Sequence, residues 1–407
     1  MFPLSHMLKA FVKVGTLTII DADGRSHVFS GSPGPSVTMR LTDRSLYRKL
    51  FLNPGLHAGE AYMDGTLSFE SSTLRDFLTL FSLNRSSLSS YSLQKFVRAA
   101  MRGLKRFQQT NPVGKAQQNV AHHYDIGNEF YKLFLDAGMQ YSCAYFLNDS
   151  DSLEEAQQNK MRLIAAKLQL KPGLRILDIG SGWGNLAMYL ATLENVDVTG
   201  VTLSREQHAL SNEKAQRAGL AGRVRFELRD YRDLDSRFDR IVSVGMFEHV
   251  GVPHYREFFD KMSNLLAPDG VMLLHSIGHM RTPGASSPWI RKYIFPGAYG
   301  PALSEVFTAT EQAGLWVTDV EILRLHYAKT LREWEKRFQA SRAKVAAMYD
   351  ERFCRMWEFY LISAEMMFLS GGQHVFQMQL TRTIDAAPIV RDYITDLQRD
   401  YRVAERR

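Results

Sequence analysis

The chain has 407 residues, 45% of them hydrophobic and 23% charged, a globular balance that excludes disordered, fibrous and collagen-like classes and suits roughly two or three domains. Lys and Arg number 50 against 43 Asp and Glu, for a formal charge of +7. The surplus is uneven: residues 1–124 carry +8 and the remaining residues −1. Two cysteines, Cys143 and Cys354, exclude a disulfide framework and are too few for a structural zinc site, so no metal is expected and a reducing cytosol suits the chain.

In chain order, residues 14–41 read as short strands broken at Asp23-Gly24 and at Gly31-Ser32-Pro33-Gly34-Pro35. Helical signals follow from Asp43, with apolar clusters around Tyr62 and from Leu74 to Leu83. Between Asp76 and Asp125 there is no acid, against seven basic residues including Arg98, Arg102 and Lys105. Within that run Leu93, Phe96, Val97, Ala100, Met101 and Leu104 form one apolar stripe of a helix with a basic opposite face. Such a helix fits packing on its own domain or contact with anionic headgroups. No nucleic-acid motif accompanies the charge, and nucleic acid is excluded as a partner. From Met161 the pattern becomes alternating strands and helices. Arg175 to Ile179, Asp197 to Val201, Val224 to Glu227, Arg240 to Val244 and Val271 to His275 are the expected buried strands of a doubly wound parallel sheet. After Tyr327 the chain reads as Met- and aromatic-rich helix to about Leu380. No stretch reaches the ~18 apolar residues of a membrane span, and the N-terminus lacks a secretory signal pattern.

The run Ile176-Leu177-Asp178-Ile179-Gly180-Ser181-Gly182-Trp183-Gly184 predicts a strand, a glycine turn and a helix whose N-terminus faces a polar ligand. A dinucleotide site would need GxGxxG and an acid closing the second strand. Here the third glycine comes one residue early and Thr202-Leu203-Ser204 closes that strand, which disfavours nicotinamide cofactors.

The glycine run resembles the first motif of S-adenosylmethionine-dependent methyltransferases. Further motifs are His123-Tyr124-Asp125-Ile126-Gly127-Asn128, Tyr141-Ser142-Cys143-Ala144-Tyr145, Thr202-Leu203-Ser204-x-x-Gln207, Met246-Phe247-Glu248-His249-Val250-Gly251 and His326-Tyr327-x-x-Thr330-Leu331-x-x-Trp334. In this order they resemble the cyclopropane fatty acid synthase family over most of the chain. The resemblance implies a Rossmann-like α/β methyltransferase sheet, a smaller α+β N-terminal domain and a helical C-terminal region. The expected organisation is a lipid- or membrane-associated domain at 1–107, a linker at 108–120, a catalytic domain at 121–380 with helical acyl-side insertions, and a tail at 381–407.

By the same resemblance, Tyr141, Ser142, Asp178, Gly180, Gly182, Gly184, Thr202, Ser204, Gln207, Asp230 and Tyr231 surround S-adenosylmethionine. Cys143, Glu248, His275, the Ile277 backbone and Tyr327 correspond to positions that hold a bicarbonate ion. The implied reaction is net methylene transfer to cis double bonds of membrane phospholipid acyl chains. A cation in the acyl chain is deprotonated by that bicarbonate, since a weak fixed anion in a dry pocket is less open to methylation than a strong base. The expected setting is cytoplasmic, at the inner face of an anionic membrane, and family members are often dimers. One departure stands out: Ala364 occupies a position where the family usually carries a cysteine. It argues against thiol catalysis and keeps open a relative that makes methyl-branched or methylated unsaturated chains.

Overall fold

The computed structural model describes residues 1–90, 127–284 and 286–406, so the basic Leu93–Leu104 helix, the 108–120 linker and His123 to Ile126 lie outside the described residues. Those residues form two compact units. One gathers 1–90, Gly284–Pro296 and Leu331–Gly372; the other gathers 127–283, Gly297–Thr330 and 373–406. A composition break marks where a chain leaves a domain and carries no sign of where it returns. The two later segments of the first unit, both inside the 121–380 span, therefore have no signature in the sequence.

In the first unit, β1 (Val14–Ile20), β2 (Ser26–Ser30), β3 (Ser32–Leu41) and β4 (Leu67–Glu70) make one sheet in the order β2-β1-β3-β4. β1 pairs antiparallel with β2 and parallel with β3. Leu17 and Ile19 alternate inward with Val37, Met39 and Leu41, and helix Leu4–Phe11 covers them with Leu4, Met7, Leu8 and Phe11. Period two on the strands and three to four on the helix are what one shared apolar core requires. Helix Glu351–Leu369 carries Ala364 and the buried Glu365, whose carboxylate receives Arg75 at 2.6 Å and Arg332 at 2.8 Å. Cys354 is buried on the same helix.

The second unit is built on seven strands: β5 (Arg175–Ile179), β6 (Asp197–Thr202), β7 (Val224–Leu228), β8 (Phe238–Val244), β9 (Leu266–His279), β10 (Trp316–Ile322) and β11 (Gln373–Thr381). Their order is β10-β11-β9-β8-β5-β6-β7. All five expected strands are present and run parallel. From β5 the chain moves outward through β6 to β7, then returns to the other side with β8. The crevice between the carboxyl ends of β5 and β8 is thus the switch point at which doubly wound sheets bind ligands.

Two elements differ from expectation. The segment read as helix to Leu380 ends at Leu369, and β11 then pairs antiparallel with β9 and β10. Almost every residue of β11 is buried, so its two faces do not alternate and period alone cannot separate it from a buried helix. The 381–407 segment also holds a helix, Tyr393–Ala404, whose Ile394 and Tyr401 join the core beneath β5 and β6.

Candidate active site

β5 leads into the glycine turn. The Gly180 and Ser181 amides donate to the Val201 carbonyl at 2.9 and 3.1 Å, which ties the turn to the end of β6. Gly180, Gly182 and Gly184 all take positive φ, 78°, 55° and 81°, the region in which a side chain is strained. Gly184 is the N-cap of helix Asn185–Leu193. Around the turn lies a pocket lined by Tyr141, Ser142, Asp178, Gly180, Gly182, Thr202, Gln207, Asp230 and Tyr231. Nine of the expected cofactor residues therefore share one wall. Gly184 and Ser204 do not line it, and each acts through an element that does. Gly184 starts its helix, and the Ser204 hydroxyl accepts from the Gln207 amide at 3.3 Å. Thr202 Oγ1 donates to Gln207 Oε1 at 2.9 Å.

Each end of the pocket is fixed by local chemistry. At one end Arg232 clasps Asp230, with Nε to Oδ1 at 2.9 Å and Nη2 to Oδ2 at 2.7 Å. The Tyr231 ring meets Phe258 of helix Tyr255–Leu265 edge-on, centroids 5.6 Å apart, so Tyr231 both packs on that helix and lines the pocket. At the other end Tyr141 packs edge-on against Tyr131 at 5.4 Å, and Tyr131 meets Trp183 at 5.1 Å. Trp183 Nε1 donates to Asn128 Oδ1 at 2.7 Å, which links the last residue of the His123–Asn128 motif to the glycine turn. Burial pushes the Asp178 carboxyl up to about 7, and its Oδ2 is buried with no hydrogen-bond partner among the described residues.

The five expected catalytic residues lie outside that wall and fall into two groups. Glu248, just past β8, is buried, and its Oε1 accepts from the Ile277 amide at 2.7 Å. Its Oε2 is buried with no partner among the described residues, and burial pushes the carboxyl up to about 7. His275 sits beside Val244 across the β8–β9 pair, and its carbonyl accepts from Gly245 at 2.9 Å. Desolvation holds the His275 ring neutral well below its usual range, and Gln377 Nε2 lies 3.2 Å from Nδ1. The second group is Cys143 and Tyr327. Both are buried, and burial pushes the Cys143 thiol well up, so it is a thiol and not a thiolate.

Two residues that hold this site together, Gln157 and Lys160, have no mark in the sequence, and a third, Thr330, is a motif residue whose anchoring role only the structure shows. Gln157 Nε2 donates to the carbonyls of Gln140 and Ser142 at 3.3 and 3.0 Å, and Lys160 Nζ to Ser142 Oγ at 2.7 Å. Both belong to helix Leu153–Leu168, most of which is buried. Polar residues inside a helix read as a solvated face, so no sequence signal marks them. Thr330 Oγ1, fully buried, accepts from the Ala144 amide at 3.0 Å and donates to the His326 carbonyl at 2.8 Å, anchoring the loop of Cys143 to the helix of Tyr327. Thr330→Val is expected to cost about 1–3 kcal/mol, because it orphans a buried amide. Urea unfolding measures this, and a midpoint equal to wild type would refute the anchor.

Residues 112–378 match the family model described as mycolic acid cyclopropane synthetase. The cyclopropane-fatty-acyl-phospholipid synthase of Escherichia coli K12 is 38% identical over 353 residues, covering 85% of this chain and 88% of that one. A tuberculostearic acid methyltransferase of Mycobacterium tuberculosis is 33% identical over 379 residues, covering 90% and 88%. Among solved structures, the mycolic acid cyclopropane synthase CmaA1 in complex with SAH and CTAB is 35% identical with a TM-score of 0.63, over 67% of this chain and 99% of that one.

Proposed function

The chain belongs to the mycolic acid cyclopropane synthetase family and is an S-adenosylmethionine-dependent methyltransferase, and on that premise we propose that it forms cyclopropane rings on cis double bonds of phospholipid acyl chains. The observation that carries this reading is the 38% identity, over 85% of the chain, to a relative of that named activity. Bound S-adenosylmethionine supplies an electrophilic sulfonium methyl. In this reading Tyr141, Ser142, Asp178, the glycine turn, Thr202 and Gln207 hold it across the switch point, with Asp230 and Tyr231 at its adenine end.

An isolated alkene is a weak nucleophile, and on gaining the methyl it becomes a cation. Closing the ring requires a proton to leave the new methyl so that its C–H electron pair bonds to the second alkene carbon. The residues beside the pocket suit a small bound anion that takes this proton, which the reading assigns to bicarbonate. His275, held neutral, and the hydroxyl of Tyr327 are donors for it. Glu248 Oε2 is a buried oxygen without a partner among the described residues, and in this reading it accepts the anion's own proton. The Ile277 amide is committed to Glu248 Oε1; in this reading it orients the carboxylate. Cys143, as a thiol, is a weak donor and a small wall, not a nucleophile.

The substrate reading extends to an anionic membrane surface visited by the basic N-terminal domain, to action at the cytoplasmic face, and to a homodimer. Among the described residues no helix is long and apolar enough to cross a membrane. A second reading, a methyl-branched or methylated unsaturated product, is favoured by Ala364 and by the likeness to the tuberculostearic acid methyltransferase. Incubation with unsaturated phospholipid vesicles, S-adenosylmethionine and bicarbonate should add one CH2 per modified chain by mass spectrometry, with cyclopropyl protons upfield in the NMR spectrum. Acyl chains unchanged under those conditions would overturn the proposal.

A further inference from the structure

Two buried amides, Gln377 and Gln379, stand on one face of β11. Gln379 is fully used. Its Nε2 donates to the Lys167 carbonyl at 2.6 Å and to Tyr393 Oη at 2.7 Å, and its Oε1 accepts from Thr318 Oγ1 at 2.7 Å. Gln377 differs. Its Nε2 lies 3.2 Å from His275 Nδ1, while its Oε1 is buried with no partner among the described residues. A buried polar atom left unsatisfied costs about 1–3 kcal/mol, which a leucine of similar size would avoid. What the amide gives in return is its contact with His275.

That contact follows from the sheet. Gln377 and His275 stand directly opposite each other in the antiparallel β9–β11 pair, so their side chains leave it on the same face. An amide nitrogen donates and cannot accept, which makes His275 Nδ1 the acceptor. Burial, with the cations Lys160 and Lys167 adding to it, keeps the ring neutral. A neutral imidazole has one proton, and with Nδ1 occupied as an acceptor that proton sits on Nε2. The other tautomer would set Nδ1–H against the amide N–H, donor against donor.

We propose that Gln377 is a positioning residue that locks His275 in the Nε2–H tautomer, so that the ring meets its anion with a donor. This rests on the reading of His275 as a donor to bicarbonate and deepens it. With its proton on Nδ1, the same ring would offer the anion a lone pair and repel it. Gln377 touches neither anion nor substrate in this account and acts only through His275.

Nitrogen NMR of the full chain, labelled at histidine and with His275→Asn to identify the signal, reads the tautomer directly. Wild type should show a bare Nδ1 and a protonated Nε2. Gln377→Glu puts an acceptor of the same size opposite Nδ1 and should draw the proton there. Gln377→Leu, which bonds to neither form, should leave a mixture and guards against a folding defect in the charged variant. In CO2-free buffer with bicarbonate added back, both variants should need roughly 10- to 100-fold more bicarbonate for half-maximal turnover, the usual effect of losing a group that orients a histidine. Their affinity for S-adenosylhomocysteine, measured by calorimetry, should match wild type. A merely structural glutamine would shift the unfolding midpoint and leave tautomer and bicarbonate requirement unchanged. That result, or a wild-type ring protonated at Nδ1, overturns the proposal. Wild-type turnover indifferent to bicarbonate overturns the anion reading beneath it, while the NMR spectra still decide what Gln377 does to the ring.

Discussion

Glu248→Gln should lower turnover by roughly 10²- to 10⁴-fold, the usual contribution of a positioned acid or base, while leaving the fold intact. The fold survives because the amide oxygen can still accept from the Ile277 amide, the contact that holds Oε1 at 2.7 Å. What is lost is the acidic proton site at Oε2, buried and without a partner among the described residues. The pH dependence gives a second readout. Burial raises the Glu248 carboxyl from 4.5 to about 7, so its contribution to stability is present below about 4.5 and is lost as the pH rises through about 7. The full shift corresponds to about 3 kcal/mol. Glu248→Gln should therefore match wild type in denaturant unfolding at pH 4 and exceed it at pH 8. If the carboxylate form is the working one, wild-type turnover should rise through pH 7 and the variant's should not. A variant within a few-fold of wild type, with the same pH profile, would remove Glu248 from the chemistry.

Gly184→Ala is expected to destabilise the chain by about 2–5 kcal/mol. A Cβ at φ 81° would stand 2.5 Å from Phe226 Cζ and 2.9 Å from Ser211 Cβ, both buried. The left-handed backbone costs about 1–2 kcal/mol, and the overpacked ring adds about 1–3 kcal/mol. That is a large share of the roughly 5–15 kcal/mol that holds a domain folded. Gly182 provides the control. Its φ of 55° carries the backbone cost, but a Cβ there meets nothing within 4 Å, so Gly182→Ala should cost only about 1–2 kcal/mol. Its methyl would instead enter the pocket, and cofactor affinity should fall more than stability. Urea midpoints for the pair decide: equal losses would mean that Phe226 yields and that the turn is not packed as described.

The contrast between these two glycines also shows what was legible in the sequence. Strand, turn and helix around Asp178 to Gly184 could be read because each residue type answers a local backbone demand. The parallel strands could be read because each carries a short run rich in buried apolar residues with helical sequence between them. β11 could not, since Val375, Phe376, Met378 and Leu380 are buried together with Gln377 and Gln379, and a strand covered on both faces has no alternation. Nor could Lys160 or Gln157 be found, because a buried polar side chain on a helix looks like a solvated one until its partner is placed. Glu248 and His275 could be placed at the ends of two adjacent strands, where α/β sheets assemble sites, whereas Cys143, Ile277 and Tyr327 follow only from the family resemblance. Their chemistry depends on burial and, for His275, on Gln377, which motif spacing does not carry.

The central claim is that the proton lost after methyl transfer comes from the transferred methyl itself. Unsaturated phospholipid vesicles should be treated with the purified chain and S-adenosylmethionine carrying a CD3 group, with bicarbonate present, and the acyl products weighed. Acyl chains should gain CD2, because one deuteron leaves as the ring closes. Gain of an intact CD3 group would mean that the proton left from elsewhere on the chain, giving a methylated or methyl-branched product, and would contradict it.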